Sequence, residues 1–258
     1  MNTNTTEYQN AFDNVVFLGI DLGWYGKPSG LTSIGMDGRS LCLRDLTRVG
    51  SVTEVLRWID MRTANCSAMI AVDAPLVICN QTGIRDAERE LSRDFSRFHA
   101  GCHATNLGSA FAQNVLSFSQ GLADLGFGHG PDIMPHQKGR FQIEVYPHAA
   151  SVNLFDLARI VKYKKGLRET RGKELQRLRK LMLARLPLLE PGLSLQLPSI
   201  PTKGNLKSVE DQIDAVLCAY IAAHWWFWAK ERNRVYGSRT TGYIVVPERK
   251  ISENTSTV

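Results

Sequence analysis

Two rhythms of apolar residues alternate along this chain. Continuous apolar runs bounded by glycine or proline, NVVFLGIDLG (14–23) and AMIAVDAPL (68–76), predict strands buried on both faces. LTSIGM and SLCLRDL follow the first run, and Asp37-Gly38 between them is a residue pair that tight hairpins favour, so three antiparallel strands are expected to open the fold. SVTEVLRWIDMRTAN has helical spacing instead, with Val52, Val55, Leu56 and Ile59 on one face and Ser51 placed to cap it. RDAERELSRDFSRFHA and SAFAQNVLSFSQGLADLG predict two more helices, a helical insertion over about 80–130. RFQIEVYP alternates as a strand with Phe141, Ile143 and Val145 on one face and Gln142, Glu144 and Tyr146 on the other. A long helix is expected from about Ser208, and GYIVVP (242–247) reads as a short strand.

Strands, crossovers and a final long helix in this order predict an α/β fold, a mixed sheet covered by helices, over residues 15–247. Residues 1–14 and 248–258 are polar and read as disordered ends. The most apolar stretch, 215–229, is shorter than the ~20 residues that cross a bilayer and contains His224, so it reads as a core helix, with Trp225, Trp226 and Trp228 as packing residues. Five scattered cysteines without a Cys-x-x-Cys pair argue against a disulfide framework or a zinc ribbon and fit a reducing cytoplasm. His99 and His103, with Cys102 between them, have helical spacing for zinc but no further ligand in reach.

The buried runs each contain one aspartate, Asp21 and Asp73, which either turns a strand end by bonding nearby backbone amides or carries chemistry. If the strands of Asp21 and Asp73 lie side by side in parallel, both carboxylates stand at adjacent carboxyl ends, where open α/β sheets place their sites. Glu144 is a third carboxylate near a strand end. Asp211 and Asp214, three apart on the last helix, lie on one face. Asp211 also fits a capping box with Ser208, whereas Asp214 shares a stripe with Leu217, Cys218 and Ile221 that should face the core. Converging carboxylates persist only when protons or divalent cations neutralise them, and Mg2+ or Mn2+ suits hard oxygen ligands. Two such ions ~4 Å apart can activate water and stabilise a leaving oxygen in phosphodiester cleavage.

Charge adds a partner. The formal net charge is +6, with the excess concentrated in RIVKYKKGLRETRGKELQRLRKLMLAR, expected to be a basic helical segment over about 158–188. Such a segment is either a polyanion-binding surface or a solvated helix face.

GIDLGW, AVDAPL, RDAERELSR, EVYPHA, KYKKG and EDQIDAVLCAYIAA, in this order, resemble the family of predicted ribonuclease H-like nucleases known as domain of unknown function 429. The resemblance implies a ribonuclease H-like five-stranded mixed sheet flanked by helices. It also implies a RuvC-like acidic set of Asp21, Asp73, Asp211 and Asp214, with aspartate at position 73 where RuvC-type enzymes usually carry glutamate. The implied function is a metal-dependent nuclease in which Asp21 bridges two ions. Lys162, Lys164 and Lys165 would hold the substrate backbone, and Arg85 or Arg89 would border the site. Other readings are a small-molecule phosphoester or nucleotide hydrolase, a catalytically silent module binding nucleic acid or protein, and an actin-like ATP-binding kinase relative. The kinase reading is weakened because VDAP stands where the second Asp-x-Gly phosphate motif belongs. A homo-oligomer is compatible with all of these.

Overall fold

A computed structural model describes residues 14–38 and 40–249. The expected disordered ends lie outside these residues, except for positions 14, 248 and 249. β1 (Val15–Asp21) is central. It pairs antiparallel with β2 (Ser29–Asp37), which pairs antiparallel with β3 (Ser40–Val49), so the opening meander is present. α1 (Val52–Thr63) then crosses over, capped by the Ser51 hydroxyl accepting from the Glu54 amide. β4 (Ser67–Val72) lands parallel to β1 with Ile20 opposite Val72. After α2 (Asp86–Phe95) and α3 (Ala112–Asp124) come β5 (Gly128–His129) and β6 (Arg140–Glu144), the latter parallel to β4 with Val72 opposite Glu144.

α4 (Pro147–Leu154), α5 (Arg168–Arg185), β7 (Leu193–Ser194) and α6 (Lys207–Trp228) follow. The sheet order is β5-β6-β4-β1-β2-β3-β7, with β2 running against the rest. The five strands β3-β2-β1-β4-β6 form a ribonuclease H-like sheet. The two-residue strands β5 and β7 extend its edges to seven, beyond the expected five. β8 (Asn233–Ser238), which the hydrophobic pattern did not predict, pairs with the expected final strand, β9 (Gly242–Pro247), as a separate hairpin.

α6 covers one face of the sheet and α1 and α3 cover the other. Two glycines let α6 approach at backbone distance. A Cβ on Gly19 would stand 2.0 Å from the Ala215 carbonyl oxygen, and one on Gly30 would stand 2.0 Å from that of Asp211. α6 is buried almost all round, and Trp225, Trp226 and Trp228 donate to the carbonyls of Gly130, Gln137 and Glu190, which makes them packing residues. No helix among the described residues is long and apolar enough to cross a membrane.

Several local expectations are corrected. The basic segment is helical only from Arg168. Before it the chain is irregular: Val161 and Tyr163 are buried, Lys162 is exposed and Lys164 half-buried, and the Tyr163 amide donates to the Val161 carbonyl at 3.2 Å. α6 begins at Lys207 with Leu206 at its N-cap position, so Ser208 sits inside the first turn and does not cap. His99 adopts a left-handed φ of 63° after a short 3-10 turn, so it and His103 do not share a helix face.

Candidate active site

β1 and β4 end level, and the Asp73 amide donates to the Ile20 carbonyl at 2.9 Å. Asp21 is in phase with Phe17 and Gly19, and Asp73 with Met69 and Ala71, so alternation turns both toward the α6 side of the sheet. There Asp214 lies fully buried. Tyr163 donates its hydroxyl to Asp214 Oδ1 at 2.5 Å, and Lys164 Nζ stands 3.0 Å from Oδ2. That ammonium is not aligned for a hydrogen bond, and Oδ2 has no hydrogen-bond partner among the described residues. The Asp21 and Asp73 carboxylates, both only part-exposed, accept no hydrogen bond and form no ion pair among the described residues.

Electrostatics follow from this crowding. Burial pushes the Asp21 carboxyl well above the usual range; Lys164 pulls it down, and Asp214, Asp73 and Asp211 push it further up. Burial likewise lifts Asp73 to about 6 against the pull of Lys164. Burial alone would lower Lys164, but Asp214, Tyr163, Asp21 and Asp73 hold it above its ordinary value and therefore charged. His148 packs 5.5 Å from the Tyr163 ring and is lowered to about 3 by burial and by Lys164, which keeps it neutral.

The other expected site residues have different duties. Asp211 is buried and held by Arg48 Nε at 2.8 Å and Lys207 Nζ at 2.7 Å, so its charge is already compensated and it serves neither as a helix cap nor as a free ligand. Glu210 beside it is paired with Arg171 and Lys207. Glu144 does not join the aspartates. It pairs in register with Val72, out of phase with Asp73, and so belongs to the other face of the sheet. There Arg85 grips it with two hydrogen bonds of 2.9 and 2.6 Å and also pairs with Glu88. Burial raises Glu144 to about 7 although Arg85 lowers it. Arg85, 3% exposed, is thus a buried cation whose guanidinium is engaged by Glu144 and Glu88, on the face of the sheet away from the aspartates. Arg89 lies exposed on α2, paired with Asp86. Lys162 and Lys165 are exposed beside the half-buried Lys164.

The basic helix is also redirected. Arg168 donates to the carbonyls of Pro201, Thr202 and Gly204, Arg179 to those of Leu197 and Pro198, and Arg171 to that of Tyr163. These arginines fasten the loop before α6 and the approach to Lys164. Tyr163 and Glu210 lie inside the KYKKG and EDQIDAVLCAYIAA motifs without being expected site residues, and Arg48 and Lys207 lie outside every motif. Tyr163, Lys207 and Glu210 lie close in sequence to expected site residues, whereas Arg48 lies far from all of them.

The donor set fits a hard divalent cation: two unpartnered carboxylates and one carboxylate oxygen without a hydrogen bond, all on one side of the sheet. Among the described residues no group of three His, Cys, Asp or Glu side chains forms a ready metal cage, and the Lys164 ammonium stands among the aspartates.

The family described as "Protein of unknown function (DUF429)" matches residues 19–241. The chain belongs to this family. The DUF429 match spans the ends of β1, β4 and β6 and the acidic turns of α6. A search of curated proteins gives no match. Two solved structures of the human cytomegalovirus terminase nuclease domain are distantly similar to this DUF429 chain. The manganese-soaked, inhibitor-bound one has a TM-score of 0.32 and 10% identity, covering 84% of each chain. The manganese-soaked one has a TM-score of 0.32 and 11% identity, covering 87% of each chain.

Proposed function

We propose that the chain is a metal-dependent phosphodiester hydrolase acting on nucleic acid. The observation that carries this reading is the pair of unpartnered carboxylates, Asp21 and Asp73, at adjacent parallel strand ends above the buried Asp214. Three carboxylates around the Lys164 ammonium leave a local negative excess that either a retained proton or a divalent cation neutralises. Asp21, Asp73 and Asp214 would hold Mg2+ or Mn2+, which supplies an activated water and charge stabilisation at the phosphorus. Tyr163, kept protonated by burial and by Asp214, fixes the orientation of the Asp214 carboxylate. Asp211, Arg48 and Lys207 form an ion-paired brace that holds the start of α6 against β3. Lys162 and Lys165 are free to meet substrate phosphates at the rim.

The internal use of Arg168, Arg171 and Arg179 favours a second reading, in which the substrate is a nucleotide or another small phosphoester, because it removes cations from the surface a long polyanion would cover. Cleavage with Mn2+ or Mg2+ of single strands, duplexes, hybrids, branched DNA, mononucleotides and a chromogenic phosphodiester tests both. Wild-type cleavage that Asp21→Asn abolishes, in a variant with an unchanged circular dichroism spectrum, is the expected result, and the preferred substrate separates the readings. Cleavage retained by Asp21→Asn overturns the mechanism.

A further inference from the structure

We propose that Lys164 is the resident cation of the acidic site and that its side chain gives up this place when a divalent cation binds. The inference rests on the metal-dependent reading above and adds a competition within it. The Lys164 ammonium is 3.0 Å from the fully buried Asp214 carboxylate and is a close electrostatic neighbour of Asp21 and Asp73. It therefore occupies the position where the carboxylates most need positive charge. A divalent cation brought to the same oxygens meets repulsion from this ammonium at short range, where half-burial weakens solvent screening.

The geometry also shows how the lysine leaves. Its side chain is 31% exposed, whereas that of Asp214 is fully buried, so the lysine reaches in from the solvent side. It is held by charge without a directional hydrogen bond at Oδ2. The backbone beneath it is anchored: Val161 and Tyr163 are buried, the Tyr163 hydroxyl is fixed on Asp214, and the Tyr163 carbonyl accepts from Arg171 Nε at 3.1 Å. Exchange therefore needs only a rotamer change of Lys164, with the segment around it left in place. The released ammonium joins the exposed Lys162 and Lys165 at the rim and adds a third cation there for a substrate phosphate. Metal loading thus creates the phosphate grip, and the order of binding is metal first.

Calorimetric Mn2+ titration of the wild type and of Lys164→Gln tests this directly. The expected result is at least tenfold tighter Mn2+ binding by the variant, lost again when Asp21→Asn is added. Equal or weaker binding by a folded Lys164→Gln overturns the competition while leaving the metal site standing. Absence of Mn2+ binding by both proteins overturns the metal-dependent reading and this inference with it. Should Lys164→Gln fail to fold, reductive methylation of the wild type read by mass spectrometry decides. Labelling of Lys164 is expected to rise several-fold on Mn2+ loading, and unchanged labelling in the loaded protein overturns the proposal.

Discussion

Asp73 and Glu144 end neighbouring parallel strands and meet opposite fates, because Glu144 pairs with Val72 and so faces away from Asp73. Asp73 sits among like charges without a partner, whereas Glu144 neutralises a buried guanidinium. Opposite responses to losing the charge follow. Asp73→Asn, in metal-free protein, is expected to keep or raise the melting temperature by a few degrees, since it removes a repelled carboxylate. Glu144→Gln is expected to cost about 3 kcal/mol in urea unfolding, because Arg85 remains buried with half its compensation gone. A destabilised Asp73→Asn would mark that residue as structural. At this scale the strand aspartates stood out, because an acid inside an apolar run is unusual, although the sequence alone equally allows a strand-end turn that bonds nearby backbone amides. The duties of Glu144 and Asp211 were not, since their partners Arg85 and Arg48 lie 59 and 163 residues away. Periodicity carries no information about such distant pairs.

α6 owes its position to the missing side chains of Gly19 and Gly30. Gly19→Ala forces backbone apart from backbone, since the atoms a new Cβ would meet belong to the main chain and cannot swing aside. Chemical denaturation of this variant is expected to show a loss of about 3 kcal/mol or more, comparable to severe overpacking. A loss below about 1 kcal/mol would show that α6 has slack against β1. The apolar pattern made α6 readable as a core helix and left its contact with the sheet unreadable, because glycine in a strand sequence signals close approach without naming the neighbour. The basic segment shows the reverse limit. Its charge was plain, but Arg168, Arg171 and Arg179 are fasteners for the Tyr163 carbonyl and the loop from Leu197 to Gly204, and a count of cations does not distinguish a lock from a docking surface. The start of that segment is not helical, and Val161 and Tyr163 turn inward two residues apart, a spacing hidden within a run of lysines.

For the molecule as a whole, acid stability depends in part on His224, buried near the end of α6 with its Nδ1 2.7 Å from Asn233 Oδ1. Burial lowers this imidazole to about 4, Asn233 opposing and Arg232 reinforcing the shift. The unfolded chain takes up the proton near pH 6.5 and the folded chain only near 4, so this contribution is complete above 6.5 and is lost as the pH falls toward 4. Relative to His224→Gln, the wild type is expected to lose up to about 3 kcal/mol between pH 7 and 4 in urea midpoints. Parallel curves would show that His224 protonates freely in the fold. The topology was the most legible layer, since β1 to β4 and α6 follow from apolar rhythm alone. The β8–β9 hairpin was half missed because NRVYGS alternates too weakly to announce a strand. The same topology sets a timetable. On the ribosome, β1 and β4 emerge with Asp21 and Asp73 long before α6 is made, and the pairing of Arg48 with Asp211 waits for 163 further residues of synthesis. A nascent chain therefore carries Asp21 and Asp73 without Asp214, and under the proposed metal-dependent reading it is expected to be inactive until α6 docks.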